Sequence, residues 1–341
     1  MRELRILFLE ITKRCNLSCI HCKAEAGEPT PGELTKREIF DLIDSLRSFS
    51  NPLLILTGGE PLMRGEVFDI ASYATWRGFR VALATNGTLI DDRMAGRIKS
   101  AGIKRVSVSL DGSNPELHDG IRGVEGAFER AMRGIERLKS HGVEVQINTT
   151  VTKQNVEDLP AIMDLCLKLR LEALHLFLLV PVGCGLEIEE RSQLSPVQYE
   201  RVLNWLHRRS KEVNLALKAT CAPHYFRIAG YKGRRRLGCL AGINVCFISS
   251  LGYVQPCGYL PLDAGNIREK GIKEIWEEAE LFKVLRDPER LKGKCGVCEF
   301  KYVCGGCRAR AYGRGGDPLA EEPQCIYQSG KTAPRGEYEM P

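Results

Sequence analysis

The chain has 341 residues, 43% of them hydrophobic and 27% charged, with a formal net charge of +6. This composition excludes a disordered or collagen-like protein, and the mild charge, interleaved with acids, does not indicate a nucleic-acid partner. The length suggests two domains or one large barrel with an appendage. The longest apolar stretch, 174–182, is far shorter than the roughly 20 residues of a membrane span, and the N-terminus has no signal-peptide pattern. We therefore expect a cytoplasmic protein without a membrane span.

Strand-like and helical segments alternate along the first two thirds of the chain. Runs rich in Val, Ile, Leu and Thr predict strands over 6–11, 53–57, 80–84, 105–110, 144–150 and 173–180. Between them, apolar residues three or four positions apart predict amphipathic helices. Thr35 and Glu38 have the spacing of a capping box, and Gly78, Gly102 and Gly142 are expected just after helix ends. Six such units imply parallel strands with right-handed crossovers, in an α/β barrel or an open doubly wound sheet.

The pattern changes after a predicted helix over 195–213. From there the sequence is rich in Gly, Cys and turn residues, with one predicted helix over 272–286. We expect a core domain over 1–215, a small metal-stapled domain over 216–328 and a mobile tail over 329–341.

A loop with three cysteines follows the first predicted strand. The chain contains 14 cysteines, and in a reducing compartment such a number indicates metal or redox chemistry rather than disulfides. Cys15, Cys19 and Cys22 can each hold one iron of a cubane, which leaves the fourth iron open for a ligand. The alternative is that these are three structural thiols, which a short polar loop does not favour.

Polar residues and glycines also lie at or just after the ends of the next four predicted strands, where parallel α/β sheets bind their ligands. In chain order these residues are Gly58, Gly59 and Glu60, then Asn86, Ser109 and Asn148. Each is a weak signal alone, because such residues are common in turns. Their convergence above one cysteine loop predicts a cofactor site.

With these motifs the sequence resembles the radical S-adenosylmethionine (SAM) superfamily over about residues 4–215. The resemblance implies a partial (β/α)6 barrel, a [4Fe-4S] cluster on the three cysteines and SAM on the open iron, as the source of a 5′-deoxyadenosyl radical. Gly58, Gly59 and Glu60 would hold the methionyl ammonium group. The same resemblance assigns the remaining SAM contacts to His21, Asn86, Ser109, Arg122 and Asn148.

Eight cysteines are concentrated in the last third of the chain. A zinc ribbon is one alternative, but only five residues separate its two C-x2-C pairs, whereas a ribbon wants roughly 15–20. The spacing resembles the SPASM domain, which implies two auxiliary clusters. By that resemblance the first is held by Cys239, Cys246, Cys257 and Cys307, and the second by Cys295, Cys298, Cys304 and Cys325.

Segments 178–183, 218–225 and 304–312 further resemble the Fe-coproporphyrin III decarboxylases. This implies that two propionates are decarboxylated oxidatively to vinyl groups, giving heme b, with electrons from a low-potential donor of the ferredoxin or flavodoxin type. Carboxylates favour Arg and Lys, and an iron centre can take a His ligand. The candidate substrate contacts are His175, Lys218, Cys221, His224, Arg227, Arg308 and Arg310. No role is assigned to Cys184, and Cys166 is expected in the core.

Three other functions remain open at this point. Two are other radical SAM reactions: the maturation of a peptide and the deacetylation of a siroheme derivative. The third is an iron–sulfur electron carrier without enzymatic activity. A carrier needs neither the open three-thiolate loop nor the segment Gly58–Glu60, so the sequence favours an enzyme.

Overall fold

The computed structural model describes residues 3–234 and 237–329. It contains a ten-stranded sheet in the order β10-β9-β8-β1-β2-β3-β4-β5-β6-β7. The strands are β1 Ile6–Glu10, β2 Leu53–Thr57, β3 Val81–Thr85, β4 Arg105–Ser109, β5 Glu144–Val151, β6 Ala173–Leu178, β7 Ala216–Thr220, β8 Val245–Ile248, β9 Tyr253–Gln255 and β10 Gly265–Asn266. The predicted alternation is confirmed, since β1 to β7 are parallel and follow one another in chain order.

The sheet continues beyond residue 215, where composition suggested a domain boundary. Strand β7 pairs in parallel with β6, and β8 pairs in parallel with β1 on the other side. A short antiparallel extension, β9 and β10, completes that side. The C-terminal segments therefore build directly on both edges of the β1–β6 sheet. Of the predicted tail, residues 330–341 lie outside the described part of the chain.

Helices connect the strands and cover the sheet. They are α1 Lys36–Arg47, α2 Val67–Trp76, α3 Asp92–Ser100, α4 Pro115–Arg122, α5 Ala127–Ser140, α6 Leu159–Lys168, α7 Cys184–Glu187, α8 Glu189–Ser192, α9 Pro196–Arg209, α10 His224–Ile228, α11 Ile272–Glu278, α12 Glu280–Arg286, α13 Gly293–Gly296 and α14 Arg308–Gly315, with 3-10 turns at Pro61–Met63, Val156–Asp158 and Pro288–Arg290. No helix of the described residues is both long and apolar enough to cross a membrane.

The start of α1 agrees with the sequence prediction, whereas the helix predicted over 272–286 does not. The capping box is present, because the Thr35 side chain accepts from the Glu38 N–H while the Glu38 carboxylate accepts from the Thr35 N–H. The single helix predicted over 272–286 is wrong. Ala279 has an extended backbone with ψ of 127°, which separates α11 from α12. The break leaves Trp276 and Phe282 both buried, with ring centroids 5.2 Å apart.

The main hydrophobic core lies between the sheet and its covering helices. The predicted apolar stripe of α1 is buried there, and so is Cys166 of α6, which confirms its expected place in the core. A smaller apolar cluster includes Val180, Leu260 and Cys307, and it joins the end of β6 to the C-terminal segments.

Candidate active site

A cavity of about 500 Å³ opens at the carboxyl ends of the parallel strands. This volume is typical of a small-molecule site. Its walls are mainly apolar and aromatic, and they come both from the barrel strands and from the segments after residue 216. Among the described residues that line it, the charged side chains are Lys23, Arg122 and Lys218, and none is Asp or Glu. The cavity therefore favours an anionic occupant.

The three cysteines of the first loop line one end of this cavity. The Cys22 N–H donates to the Cys19 carbonyl at 3.1 Å, which folds the loop back on itself. The Cys22 sulfur accepts from the Ala26 N–H at 3.4 Å, and Arg122 Nη1 lies 3.7 Å from the Cys19 sulfur. N–H donors directed at sulfur suit thiolates that bind iron. The loop thus fits the cluster that the sequence predicted.

Gly58 and Gly59 allow the cysteine loop to approach the end of β2. A Cβ on Gly58 would lie 2.5 Å from the Thr12 carbonyl oxygen, and one on Gly59 would lie 2.6 Å from that of Arg14. The Gly59 N–H donates to the Thr12 carbonyl at 2.8 Å. Only glycine permits this contact, so the pair fixes the loop against the sheet and lines the cavity with backbone.

Glu60 follows the two glycines but does not line the cavity. Its carboxylate is fully buried and accepts from the Leu62 N–H at 3.0 Å, the Thr85 hydroxyl at 2.8 Å and the Asn86 N–H at 2.7 Å. Burial raises the pKa of Glu60 to about 7, although each of these hydrogen bonds lowers the pKa. Its role in this structure is to join the ends of β2 and β3, so a direct hold on a ligand ammonium group is not what the geometry favours.

A buried polar chain connects the cysteine loop to the end of β4. Arg122 Nη2 lies 2.7 Å from Asp111 Oδ2, and His21 Nε2 lies 3.3 Å from the same oxygen. Burial lowers the pKa of His21 to about 4, so its ring is neutral at pH 7. Asp111 was not singled out by sequence reasoning, although it stands two residues after Ser109. It positions both predicted cofactor contacts.

The other predicted cofactor residues also face the cavity. Ser109 and Asn148 are register partners on β4 and β5, and both line it. Asn86 lines it as well, and its side-chain amide donates to Asn16 Oδ1 at 2.9 Å. His21, Arg122, Gly58 and Gly59 complete the set that the structure brings to one place.

Four cysteines from the segments after residue 216 line the same cavity: Cys221, Cys239, Cys257 and Cys307. The side chains of Cys221 and Cys307 hydrogen-bond each other. Burial raises the pKa of Cys257 to about 12, and backbone N–H groups of the following residues oppose this effect. Three of the four belong to the predicted first auxiliary set, and the fourth, Cys221, was predicted as a substrate contact.

Cys246 does not join this group. It is fully buried in the main core, while its neighbours on β8, Val245 and Phe247, line the cavity. Successive side chains of a strand point to opposite faces of the sheet, so Cys246 faces away. Its thiol donates to the Phe247 carbonyl at 3.7 Å. Cys246 was predicted in the first auxiliary set, but it lies in the core, whereas Cys221 lines the cavity with Cys239, Cys257 and Cys307.

Four further cysteines line a second, smaller pocket: Cys295, Cys298, Cys304 and Cys325. Backbone N–H groups of Glu322, Phe300 and Gly306 donate to three of the sulfurs, each at 3.4 Å. His224 and Arg227 line the same pocket. Three buried nitrogens have no hydrogen-bond partner among the described residues: both ring nitrogens of His224 and the Nε of Arg227. Buried donors without partners indicate that a hydrogen-bond acceptor occupies this pocket. The sulfur atoms of an iron–sulfur cluster would be such acceptors.

Within the described residues, no three Cys, His, Asp or Glu side chains are arranged to hold one metal ion. A cubane makes a different demand, because each thiolate binds its own iron and the sulfurs stand further apart. That finding concerns sites for a single metal ion and does not test a cluster.

Of the seven predicted substrate contacts, Lys218 and Cys221 line the large cavity. The arginines do not, because each is already paired. Arg227 donates to both carboxylate oxygens of Glu200 at 2.6 Å, and Arg308 to the carbonyls of Pro318 and Ala320 at 3.0 and 2.8 Å.

The other three predicted contacts are engaged in the interior. Arg310 is 1% exposed and lies 3.2 Å from Glu322. His224 packs edge-on against Tyr199. His175 Nδ1 lies 2.9 Å from Gln146 Nε2 and is absent from the described lining of the cavity. The predicted substrate roles of these residues are not supported by their positions.

Cys184 lies beside the cysteine loop, where its N–H donates to the Cys22 carbonyl at 3.0 Å. The preceding Gly183 has a positive φ of 56°, and a Cβ there would lie 2.6 Å from the same carbonyl oxygen. The start of α7 thus closes against the loop.

Comparison with known proteins agrees with this geometry. Residues 9–166 match the family model of the radical SAM superfamily, and residues 239–299 match that of the SPASM iron–sulfur cluster-binding domain. A protein of Methanosarcina barkeri named AdoMet-dependent heme synthase is 50% identical, over 96% of this chain and 97% of its own length. The chain belongs to this family of radical SAM enzymes. The family assignment and the fold class expected from sequence are confirmed.

Two further likenesses are informative. A Fe-coproporphyrin III synthase of the same organism is 34% identical, over 94% of this chain and 87% of its own. The structure of Streptococcus suis SuiB bound to S-adenosylmethionine shares the fold with a TM-score of 0.76, at 18% identity, over 96% of this chain and 78% of that one.

Proposed function

We propose that the protein converts Fe-coproporphyrin III to heme b by oxidative decarboxylation of two propionates. The proposal rests on the cavity of about 500 Å³, whose described lining has no carboxylate and includes Lys23 and Lys218, besides Arg122, which is paired with Asp111. A porphyrin with four carboxylates matches apolar walls and a positive lining. The names of relatives at 45–50% identity support a product of the heme class.

The reaction balances without oxygen. A hydrogen atom leaves the propionate β-carbon, CO2 leaves with the adjacent carbon–carbon bond, and one electron passes to an acceptor, so that a vinyl group remains. SAM and the reduced cluster supply the hydrogen-atom abstraction when bound. Cys15, Cys19 and Cys22 would hold that cluster at one end of the cavity. Gly58, Gly59, His21, Asn86, Ser109, Arg122 and Asn148 would surround the cofactor.

We further propose two auxiliary clusters. Cys221, Cys239, Cys257 and Cys307 would hold the first, directly against the substrate cavity, where the electron released by the substrate needs an acceptor. Cys295, Cys298, Cys304 and Cys325 would hold the second. Three cubanes correspond to about 12 iron and 12 sulfide per chain. A low-potential donor of the ferredoxin or flavodoxin type would supply electrons, in a reducing cytoplasm that keeps the clusters intact.

The test is an anaerobic incubation of reconstituted enzyme with Fe-coproporphyrin III, SAM and a low-potential reductant. We expect 5′-deoxyadenosine and two successive products, each lighter by one CO2 and two hydrogens. A parallel reaction without SAM controls for chemical decarboxylation. Formation of 5′-deoxyadenosine with an unchanged porphyrin would overturn the proposal, and turnover of a siroheme derivative instead would assign the deacetylation.

A further inference from the structure

Lys23 belongs to the three-cysteine loop and extends its ammonium group across the substrate cavity, towards the segments after residue 216. It follows Cys22 directly in the chain, and both side chains line the cavity. Its ammonium group lies 4.6 Å from the ring centroid of Phe247 and 5.7 Å from that of Tyr259. The two rings belong to the segments after residue 216, so they hold a barrel-loop lysine from across the cavity.

The ammonium group of Lys23 lacks an anionic partner within the described residues. It lies over two aromatic faces, which stabilise a cation but accept no strong hydrogen bond from its N–H groups. Arg122, by contrast, lies 2.7 Å from Asp111 and has its charge matched. Lys218, on β7, is the other lysine of the described lining. Two lysines are thus available for carboxylates that come from outside the chain.

Position separates the two lysines. Lys23 adjoins the loop of Cys15, Cys19 and Cys22, whereas Lys218 stands on the last strand of the barrel, in register with His175. If the cysteine loop holds the proposed cluster and SAM, hydrogen-atom abstraction would take place close to that loop. A propionate bound to Lys23 would then lie between that loop and the Phe247 and Tyr259 rings.

We propose that Lys23 binds the carboxylate of the propionate that reacts, and that Lys218 binds a propionate that the product retains. The inference rests on the proposed function, and it identifies a carboxylate site that the cysteine and glycine motifs do not reveal. The Lys23 ammonium group, held between two rings, acts as a positioning group. It fixes the propionate near the cysteine loop and leaves the chemistry to the cofactor.

Binding of substrate and product distinguishes the two lysines. Fe-coproporphyrin III carries four propionates, whereas heme b keeps two and has vinyl groups at the positions that reacted. Affinities are measured anaerobically from the Soret absorbance of reconstituted enzyme without reductant, so that no turnover occurs. For Lys23→Met we expect Fe-coproporphyrin III binding to weaken about tenfold or more, while heme b binding stays unchanged. For Lys218→Met both affinities should fall.

Three controls keep the outcomes separate. Lys23→Arg retains the charge and should restore most of the affinity, and the exposed Lys168→Met should behave as wild type. Iron content shows whether a change beside Cys22 has damaged the cluster. Equal weakening of substrate and product by Lys23→Met would overturn the assignment to the reacting propionate, and unchanged binding of both would overturn the carboxylate site. Wild-type enzyme that fails to bind Fe-coproporphyrin III would instead refute the proposed function.

Discussion

Arg310 Nη2 donates a hydrogen bond to the carbonyl oxygen of Cys221 at 3.0 Å. The hydroxyl of Tyr199 donates to the same carbonyl, also at 3.0 Å. Cys221 has a positive φ of 56°, which is unusual for a residue with a side chain. The two donors hold this conformation, and the thiol is thereby turned towards Cys307. An arginine expected to bind substrate instead orients a cysteine that lines the large cavity.

Replacing Cys221 should disturb the first auxiliary cluster, whereas replacing Cys246 should not. Cys221→Ala removes a sulfur from the group that lines the cavity, and we expect loss of up to about four iron per chain and of one EPR signal after reduction. Cys246→Ala removes a thiol from the apolar core and should leave the iron content at the wild-type value. The opposite result, with iron lost only from the Cys246 variant, would restore the ligand set predicted from spacing.

Removing the charge of Arg310 should destabilise the protein strongly. Arg310 and Glu322 are 1% and 0% exposed, so Arg310→Met leaves a buried carboxylate without its cation. Breaking a buried pair in this way costs about 3–5 kcal/mol. We expect a thermal midpoint several degrees below wild type, measured anaerobically on the reconstituted protein.

The matched control for this variant is the exposed pair of Arg37 and Asp41 on α1, 3.2 Å apart. An exposed pair contributes about 0–1 kcal/mol, so Arg37→Met should leave the midpoint nearly unchanged. Equal shifts of the thermal midpoint in both variants would show that the buried pair stabilises the protein no more than the exposed pair does.

His224 should raise the reduction potential of the second auxiliary cluster. Its ring lines the pocket of four cysteines and has no hydrogen-bond partner among the described residues. A hydrogen bond to a cluster sulfur favours the reduced state, so its loss in His224→Leu should lower that potential. One hydrogen bond of about 1 kcal/mol corresponds to about 40 mV for one electron.

An EPR-monitored redox titration measures the potential of each cluster in the same sample. The other two clusters serve as internal references, because His224 is absent from the lining of the large cavity. A uniform shift of all three potentials would indicate a general structural change, and no shift at all would refute the hydrogen bond.

The sequence by itself determined the fold class and the catalytic loop. Strand and helix periodicity is local, so six strand–helix units could be read directly from the chain. Cys15, Cys19 and Cys22 lie within one loop, and Gly58 and Gly59 end one strand, so their proximity needed only the parallel order of β1 and β2. The same locality explains the correct capping box at Thr35.

Only the tertiary structure decided which distant residues meet. The resemblance grouped Cys246 with Cys239, Cys257 and Cys307, but the alternation of β8 places its side chain in the core, whereas Cys221 lines the cavity. Composition favoured arginines as ligands for the substrate carboxylates. Arg310, however, forms an ion pair with Glu322 and donates hydrogen bonds to the carbonyls of Leu178 and Cys221. Lys23 is open to an external anion because packing gives it aromatic faces rather than a carboxylate. Such pairings depend on contacts between residues far apart in the chain, which no local pattern encodes.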